Sequence, residues 1–340
     1  MEFITTKIRK KFKLLPKVSI IIPFYNSQEY INNCLDTIIK GTHISYEIIC
    51  VDDGSTDDTS LIVKNYSKCN KNIRLISLKE NKGLYFARLI GVRYSRGEYI
   101  GFVDSDDYVS DGYFDHLLCE IEKNGADISV AKVVNVDLNG CKYIQTRCSR
   151  FPYASENADT INKSIYYLYW EQSGRCYHWH VVWNKLYRRK LWENMFSILK
   201  QQKQHLIMME DFIYSSLILS QVTKYVVANE ANYYYVAHAN TSIQNGKFIK
   251  IKKNIIDMSN AFEFVEKYLI SKREFLCYRK YLEKWKQRYG RYWRRNIMCS
   301  KLLLEEKDIC IHMLEDMTGN VVGEIMPEDD YYYELADIIN

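Results

Sequence analysis

A chain of 340 residues, 47% apolar and 26% charged, has the composition of an ordinary globular protein and enough length to bury a substantial core. No apolar run reaches the roughly 18 residues of a membrane span. The opening MEFITTKIRKKFKLLP also lacks the apolar core and cleavage site of a secretory signal, so a cytosolic location is expected. The net charge of +5 is uneven: a basic leader over 1–15 and the stretch KYLEKWKQRYGRYWRRN at 280–296 carry much of it.

That interleaving of basic and aromatic residues has two readings: solvated helix faces, or a peripheral contact with an anionic membrane face. No nucleic-acid motif accompanies the charge, and nucleic acid is not expected as a partner. The ten cysteines contain no C-x-x-C pair, which excludes a zinc knuckle or a redox dithiol and leaves them as small hydrophobes. His178-Trp179-His180 has the form of a metal pair, although a solvated or core pair is the more ordinary reading.

In chain order, KVSIIIPFY is a β-branched run of the kind buried on both faces of a sheet. Tyr30, Ile31, Cys34, Leu35, Ile38 and Ile39 then recur at helical spacing up to Gly41. YEIICVDDGS reads as a strand, TSLIVKNYSK as a helix, NIRLISLK as a strand and LYFARLIGVRYS as a helix. The strand YIGFVDSDD, the helix GYFDHLLCEIEKNG and the strand DISVAKVVNV follow, with Asp111 as the expected cap of that helix. Ser55-x-x-Asp58 has the form of a capping box.

Past residue 136 the alternation fades. VVWNKLYRRKLWENM and MEDFIYSSLILSQVT read as helices, and KYVVANEANYYYVAH as two strands around an Asn-Glu-Ala-Asn turn. From 249 onward the pattern is helical, a C-terminal region suited to a membrane-surface contact or to a homo-oligomer.

Strands alternating with helices of about a dozen residues predict a doubly wound, mostly parallel sheet, whose ligands bind beyond the carboxyl ends of the strands. Three such ends are polar: PFYN, VDDGSTD and DSDD. Neither G-x-G-x-x-G nor G-x-x-x-x-G-K-[ST] occurs at the first strand, so phosphates are handled by another device. Asp104 and Asp106 suit a hard divalent cation, Mg2+ or Mn2+, that leaves positions for a substrate phosphate. Taken alone, D-x-D could equally be a solvated turn.

Together, VSIIIPFYNSQEYINNCLDTI, YEIICVDDGSTDDT, ENKGLYFARLIGVRYSRGEYIGFVDSDDYV and the later MED resemble the family 2 glycosyltransferases of bacteria over about residues 17–245. The resemblance implies the A-type glycosyltransferase fold, a nucleotide-diphospho-sugar donor (UDP-sugar), a divalent metal and inversion at the anomeric carbon. It divides the chain into a nucleotide-sugar-binding half at 16–136 and an acceptor half at 137–248. It places Pro23, Tyr25 and Asn26 around the nucleobase and ribose, and Asp53 on the uracil N3–H, with Asp52 shaping the turn. Lys82, Gly83 and Arg88 fall where the family meets donor base or phosphate, though a surface salt bridge is the plainer role for Arg88. Asp104 and Ser105 belong to the donor edge, Asp106 is the principal metal ligand, and Asp107 is an outer or sugar contact.

By the same resemblance, Asp211 is the base that takes the acceptor hydroxyl proton, with Glu210 beside it. Trp183 and Lys185, in WNKLYRR, border sugar or acceptor, or pack in the core. His238 falls where relatives carry a basic residue near the donor phosphates and is a candidate metal ligand. The expected product is a surface polysaccharide, lipooligosaccharide or glycoprotein glycan, built on a glycan or lipid-linked glycan acceptor. The alternatives are transfer to a polyprenyl phosphate and a catalytically silent binding module of the same fold.

Overall fold

The computed structural model describes residues 15–144, 165–172, 180–238 and 247–319. Its centre is a sheet ordered β3-β2-β1-β4-β8-β6-β9-β5, with β7 (Lys142–Tyr143) pairing β6. β1 (Val18–Phe24) is buried at all seven positions, as a β-branched run between two layers of helices requires. It pairs in parallel with β2 (Tyr46–Asp52) and β4 (Tyr99–Phe102), and β2 pairs in parallel with β3 (Ile73–Ser77). Helices α1 (Ile31–Lys40), α2 (Thr59–Cys69) and α3 (Leu84–Tyr94) make the crossovers. This half follows the sequence pattern closely, and Gly41 ends α1 as expected.

The second half departs from simple winding. β8 (Lys185–Arg188) enters antiparallel between β4 and β6 (Ile128–Val136), with Tyr187 opposite both Ile100 and Ile128. The sequence pattern made this stretch helical, but pairing on two sides overrides helix propensity. Past the short helix α5 (Ile165–Gln172), the helix α6 (Arg189–Leu199) begins only after Arg188, whose backbone is extended at φ −60° and ψ 129°.

The segment expected as a hairpin is one strand, β9 (Tyr225–Val236), parallel to β6 and interrupted by a bulge. Ala131 and Lys132 are adjacent in β6, yet they face Ala228 and Asn232, so Asn229, Glu230 and Ala231 form the excess. The bulge re-aims the second half of β9 toward β5 (Tyr108–Val109), just past the D-x-D turn.

Two capping expectations also change. α4 (Tyr113–Lys123) starts after Gly112 in the left-handed region at φ 67°, so Gly112, not Asp111, occupies the cap position. α2 starts at Thr59, too late for a box based on Ser55; instead the Ser55 hydroxyl accepts the backbone N–H of Asn26.

The C-terminal helices α8 (Phe248–Ser271), α9 (Phe275–Cys299) and α10 (Leu304–Thr318) join the same core as the sheet rather than standing apart. Tyr281, Trp285 and Trp293 of the basic-aromatic stretch are buried, and Trp285 lies against Tyr169, His180 and Phe212. The aromatic face proposed for a membrane surface is therefore turned inward. Among the described residues no helix is long and apolar enough to cross a membrane. Residues 1–14 and His178 lie outside the described residues. His180 is buried, and its pKa is lowered to about 3 by desolvation and by the charge of Lys185, an environment that favours the neutral ring.

Candidate active site

β1, β2 and β4 end on the same edge, and their three polar ends converge there. Pro23 is buried within β1 opposite Val51, so Tyr25 and Asn26 are the residues of that turn that reach the crevice. Asn26, at φ 51°, accepts the Thr56 N–H on its side-chain oxygen at 2.8 Å and thereby ties the first loop to the second. Asp52 takes the Ser55 N–H at 2.8 Å and closes the turn after β2. Asp53 is buried and accepts the Lys82 and Gly83 N–H groups, one on each carboxylate oxygen, at 2.7 and 2.9 Å. Burial raises its pKa, and the two amides oppose that rise. Each oxygen keeps a second acceptor position. Gly83 is indispensable on steric grounds: at φ 90°, a Cβ would overlap the Leu206 carbonyl oxygen. The Lys82 ammonium reaches no further than Glu80.

The D-x-D turn is held from behind. Tyr233, fully buried, accepts the Asp104 N–H at 3.0 Å and donates to Asp107 at 2.8 Å; the Val236 N–H completes Asp107 at 2.8 Å. Asp107 is thus a buried support for the turn, its two oxygens bonded from within the fold. Ser105 lies 2.8 Å from Ser27, hydroxyl to hydroxyl, locking the turn onto the loop after β1.

Asp106 is left facing outward with its side chain 44% exposed. Burial of its surroundings, then the charge of Asp104, raises its pKa, and the remaining exposure tempers the first effect. His238 Nε2 stands 3.4 Å from Asp106, a buried atom with no hydrogen-bond partner, and the ring lies 4.4 Å from that of Tyr30. Two carboxylates and an orphaned imidazole nitrogen suit a divalent cation. Among the described residues no cluster of three or more His, Cys, Asp or Glu encloses such a site, so substrate oxygens would have to complete the shell.

Arg88 is the largest departure from expectation. It neither lines the crevice nor forms a surface pair: at 1% exposure its guanidinium is the hub of three elements. Nη2 donates to Asp104 at 2.7 Å, while Nη1 donates to Glu210 at 3.0 Å and Asp211 at 2.8 Å. α3 thereby binds the end of β4 to the first turn of α7 (Glu210–Ile218). One cation against three carboxylates leaves a buried excess of negative charge. Burial, then the charge of Asp211, pushes Glu210 up to about 8. Burial also pushes Asp211 up, to about 6, where Arg88 and Lys185 restrain it. Both acids are thus held above the ordinary carboxylate range by burial, and they share one guanidinium between them.

Lys185 and Trp183 are both buried behind the acid pair's side of the fold, and the charge of Lys185 reaches Asp211. Lys185 is buried, with its ammonium on the Val181 carbonyl at 2.6 Å and on Asn184 at 2.7 Å. Trp183 is stacked on Tyr233 and Tyr235 at 4.3 and 5.4 Å between ring centres, a core role. Tyr233, Ser27 and Tyr30 were not singled out from the sequence. The tyrosine run of β9 gave the only hint, and without the bulge nothing said which of its rings faces the D-x-D turn.

Comparisons with known proteins agree with this geometry. The family model described as Glycosyl transferase family 2 matches residues 19–196. The chain is 35% identical over 184 residues to the "Uncharacterized glycosyltransferase EpsJ" of Bacillus subtilis, covering 53% of this chain and 50% of the relative. It is 30% identical over 227 residues to the "Poly(ribitol-phosphate) beta-glucosyltransferase" of Bacillus spizizenii, covering 65% and 32%. The chain thus spans half or less of the length of these curated relatives. Among solved structures, S. aureus TarS 1-349 in complex with UDP superposes with a TM-score of 0.60 at 21% identity, over 95% of this chain and 88% of that one, a likeness of fold.

Proposed function

The chain belongs to glycosyl transferase family 2, and on that premise we propose that it moves a sugar from a UDP-sugar to a hydroxyl of a glycan or lipid-linked glycan, with inversion at the anomeric carbon. The product would be a bacterial cell-wall or surface polysaccharide, as the names of its relatives suggest, and the donor is a cytoplasmic metabolite. The observation that carries the reading is the Arg88 hub, which brings the donor edge, Asp104, and the acid pair Glu210–Asp211 onto one guanidinium.

In this reading the nucleotide lies over Tyr25 and Asn26, with the uracil N3–H on a free acceptor position of Asp53. Asp104 and Asp106, with His238, would hold Mn2+ or Mg2+. When bound, that cation would offset charge on the donor diphosphate. Asp211 takes the proton of the acceptor O–H as its oxygen bonds to the anomeric carbon. The bond from that carbon to the diphosphate oxygen breaks, and UDP departs with its electron pair. A carboxylate raised by burial is a stronger base than an exposed one, which suits Asp211 to accept that proton, and Glu210 beside it adds to the raised basicity of the pair. Most of the acceleration would come from positioning.

The test is Asp211→Asn. The variant is expected to bind UDP with Mn2+ as the wild type does, by calorimetry, and to lose transfer by about 10²-fold or more. Transfer at the wild-type rate would overturn the assignment of the base.

A further inference from the structure

The C-terminal helices do more than extend the core: one of them reaches the loop that leads into the base. Residues 200–209 run from the end of α6 to Glu210, and this loop is gripped on two sides. On one side stands the donor turn: His205 Nε2 lies 2.8 Å from Asn81 Oδ1, and Leu206 O accepts the Tyr85 N–H and closes over Gly83. On the other side stands α8. Asp257, 0% exposed, accepts the Ile207 N–H on one oxygen at 3.0 Å and the Lys253 ammonium on the other. Lys253 in turn donates to the His205 carbonyl at 2.6 Å.

Only Met208 and Met209 separate Ile207 from the acid pair, and Met209 is held in the left-handed region at φ 63°. A non-glycine residue there costs free energy and persists only when its surroundings over-determine it. The grip at 205–207 supplies that constraint on its N-terminal side, and the bonds of Arg88 to Glu210 and Asp211 supply it on the other. A fully buried carboxylate also has to be fully bonded, and Asp257 spends its two oxygens on the backbone of this loop and on the lysine that holds it.

We infer that Asp257 and Lys253 are positioning residues for the base, fixing the loop backbone so that Asp211 meets the acceptor in register with the donor turn. The inference rests on Asp211 being the base. It also gives the C-terminal region a part in the reaction itself: α8 is the outer jaw of a clamp whose inner jaw is the nucleotide-binding turn. The link through His205, Leu206 and Asn81 means that the loop positioning the base and the turn cradling Asp53 share one set of hydrogen bonds.

The experiment compares Asp257→Leu, Asp257→Asn, Lys253→Met and Asp211→Asn in the full chain. UDP affinity with Mn2+ is measured by calorimetry, turnover by UDP release from the UDP-sugar that the wild type consumes fastest, and exchange of the 205–211 amides by mass spectrometry. Asn keeps an oxygen for the Ile207 N–H, whereas Leu does not. Asp257→Leu is expected to lower kcat by about 10- to 100-fold with UDP affinity within about twofold of wild type, and to speed amide exchange at 205–211. Asp257→Asn is expected to recover most of that turnover even though it loses the ion pair with Lys253. Lys253→Met, a milder change that keeps Asp257 on Ile207, covers the case in which the leucine variant does not fold, and is expected to lower kcat several-fold. If the leucine variant folds, or failing that Lys253→Met, and turns over like wild type while Asp211→Asn is dead, the positioning role is overturned. The same holds if Asn and Leu lose turnover equally. An active Asp211→Asn overturns the underlying assignment instead.

Discussion

Replacing Arg88 by Met keeps the aliphatic stem and removes the cation that Asp104, Glu210 and Asp211 share. The guanidinium is 1% exposed and its three partners are at 2.7 to 3.0 Å, so solvent cannot substitute for it. Breaking a buried ion pair from one side costs about 3–5 kcal/mol. The pH dependence separates charge from packing. Arg88 lowers the pKa of Glu210 and of Asp211, although burial keeps both raised above their ordinary values. In the methionine variant both rise further.

A carboxyl whose folded pKa lies above its unfolded value has its stabilising contribution fully present below the unfolded pKa, near 4, and loses it as pH rises through the folded value. At pH 5 both acids are mostly protonated with or without Arg88, and the variant should lose hydrogen bonds, packing and the part-exposed pair with Asp104, about 1–2 kcal/mol. At pH 7.5 the variant must either hold Asp211 neutral against bulk pH or ionise it without a partner, which brings the loss to about 3–5 kcal/mol. Urea unfolding of both proteins at the two pH values reads the difference directly. A loss below about 1 kcal/mol at pH 7.5, or the same loss at both pH values, would refute a charge-bearing hub.

Three further outcomes follow from the same geometry. The acid limb of kcat/KM should fall near pH 6, where burial has placed Asp211, and a limb near pH 4 would mean that the titrating base is not this buried acid. Gly83→Ala, with a Cβ against the Leu206 carbonyl at φ 90°, should cost about 1–3 kcal/mol in urea unfolding and weaken UDP binding by calorimetry; a neutral alanine would show that the turn can shift freely. His180, held neutral by burial with its folded pKa near 3, makes the wild type lose stability as pH falls from about 6.5 toward 3, by up to about 1.4 kcal/mol per unit; His180→Phe should remove that slope, and unchanged slopes in both proteins would sink the argument.

How much of this was legible beforehand depends on the distance over which each signal acts. The first four strands and their helices are written in local periodicity, because each is buried on a face that its own residues define. Asp52, Asp53, Asp104 and Asp106 were visible because an acid at the end of a buried strand is conspicuous within ten residues of sequence. β8 was missed because Lys185 to Arg188 carry no local strand signal; only the backbones of β4 and β6 on either side make them a strand. The bulge in β9 was missed for a similar reason. Asn-Glu-Ala-Asn has the composition of a turn, and what forbids a reversal is a parallel partner running past both halves.

Arg88 shows the limit most clearly. Its position in α3, five residues past Gly83, placed it near the nucleotide, and a cation near a diphosphate is the natural expectation. Burial decides otherwise. The side chain leaves α3 toward the core and not toward the crevice, and there it meets an acid 16 residues ahead and two acids more than 120 residues away. No window of sequence contains that encounter, and composition alone would have argued against burying three carboxylates together. The fold tolerates them because one planar cation offers parallel donors to two different elements, something a lysine at the same position could not do with a single point charge. Donor edge and base are thus joined directly across the width of one guanidinium. Arg88→Lys should accordingly retain the fold better than Arg88→Met while failing to restore transfer.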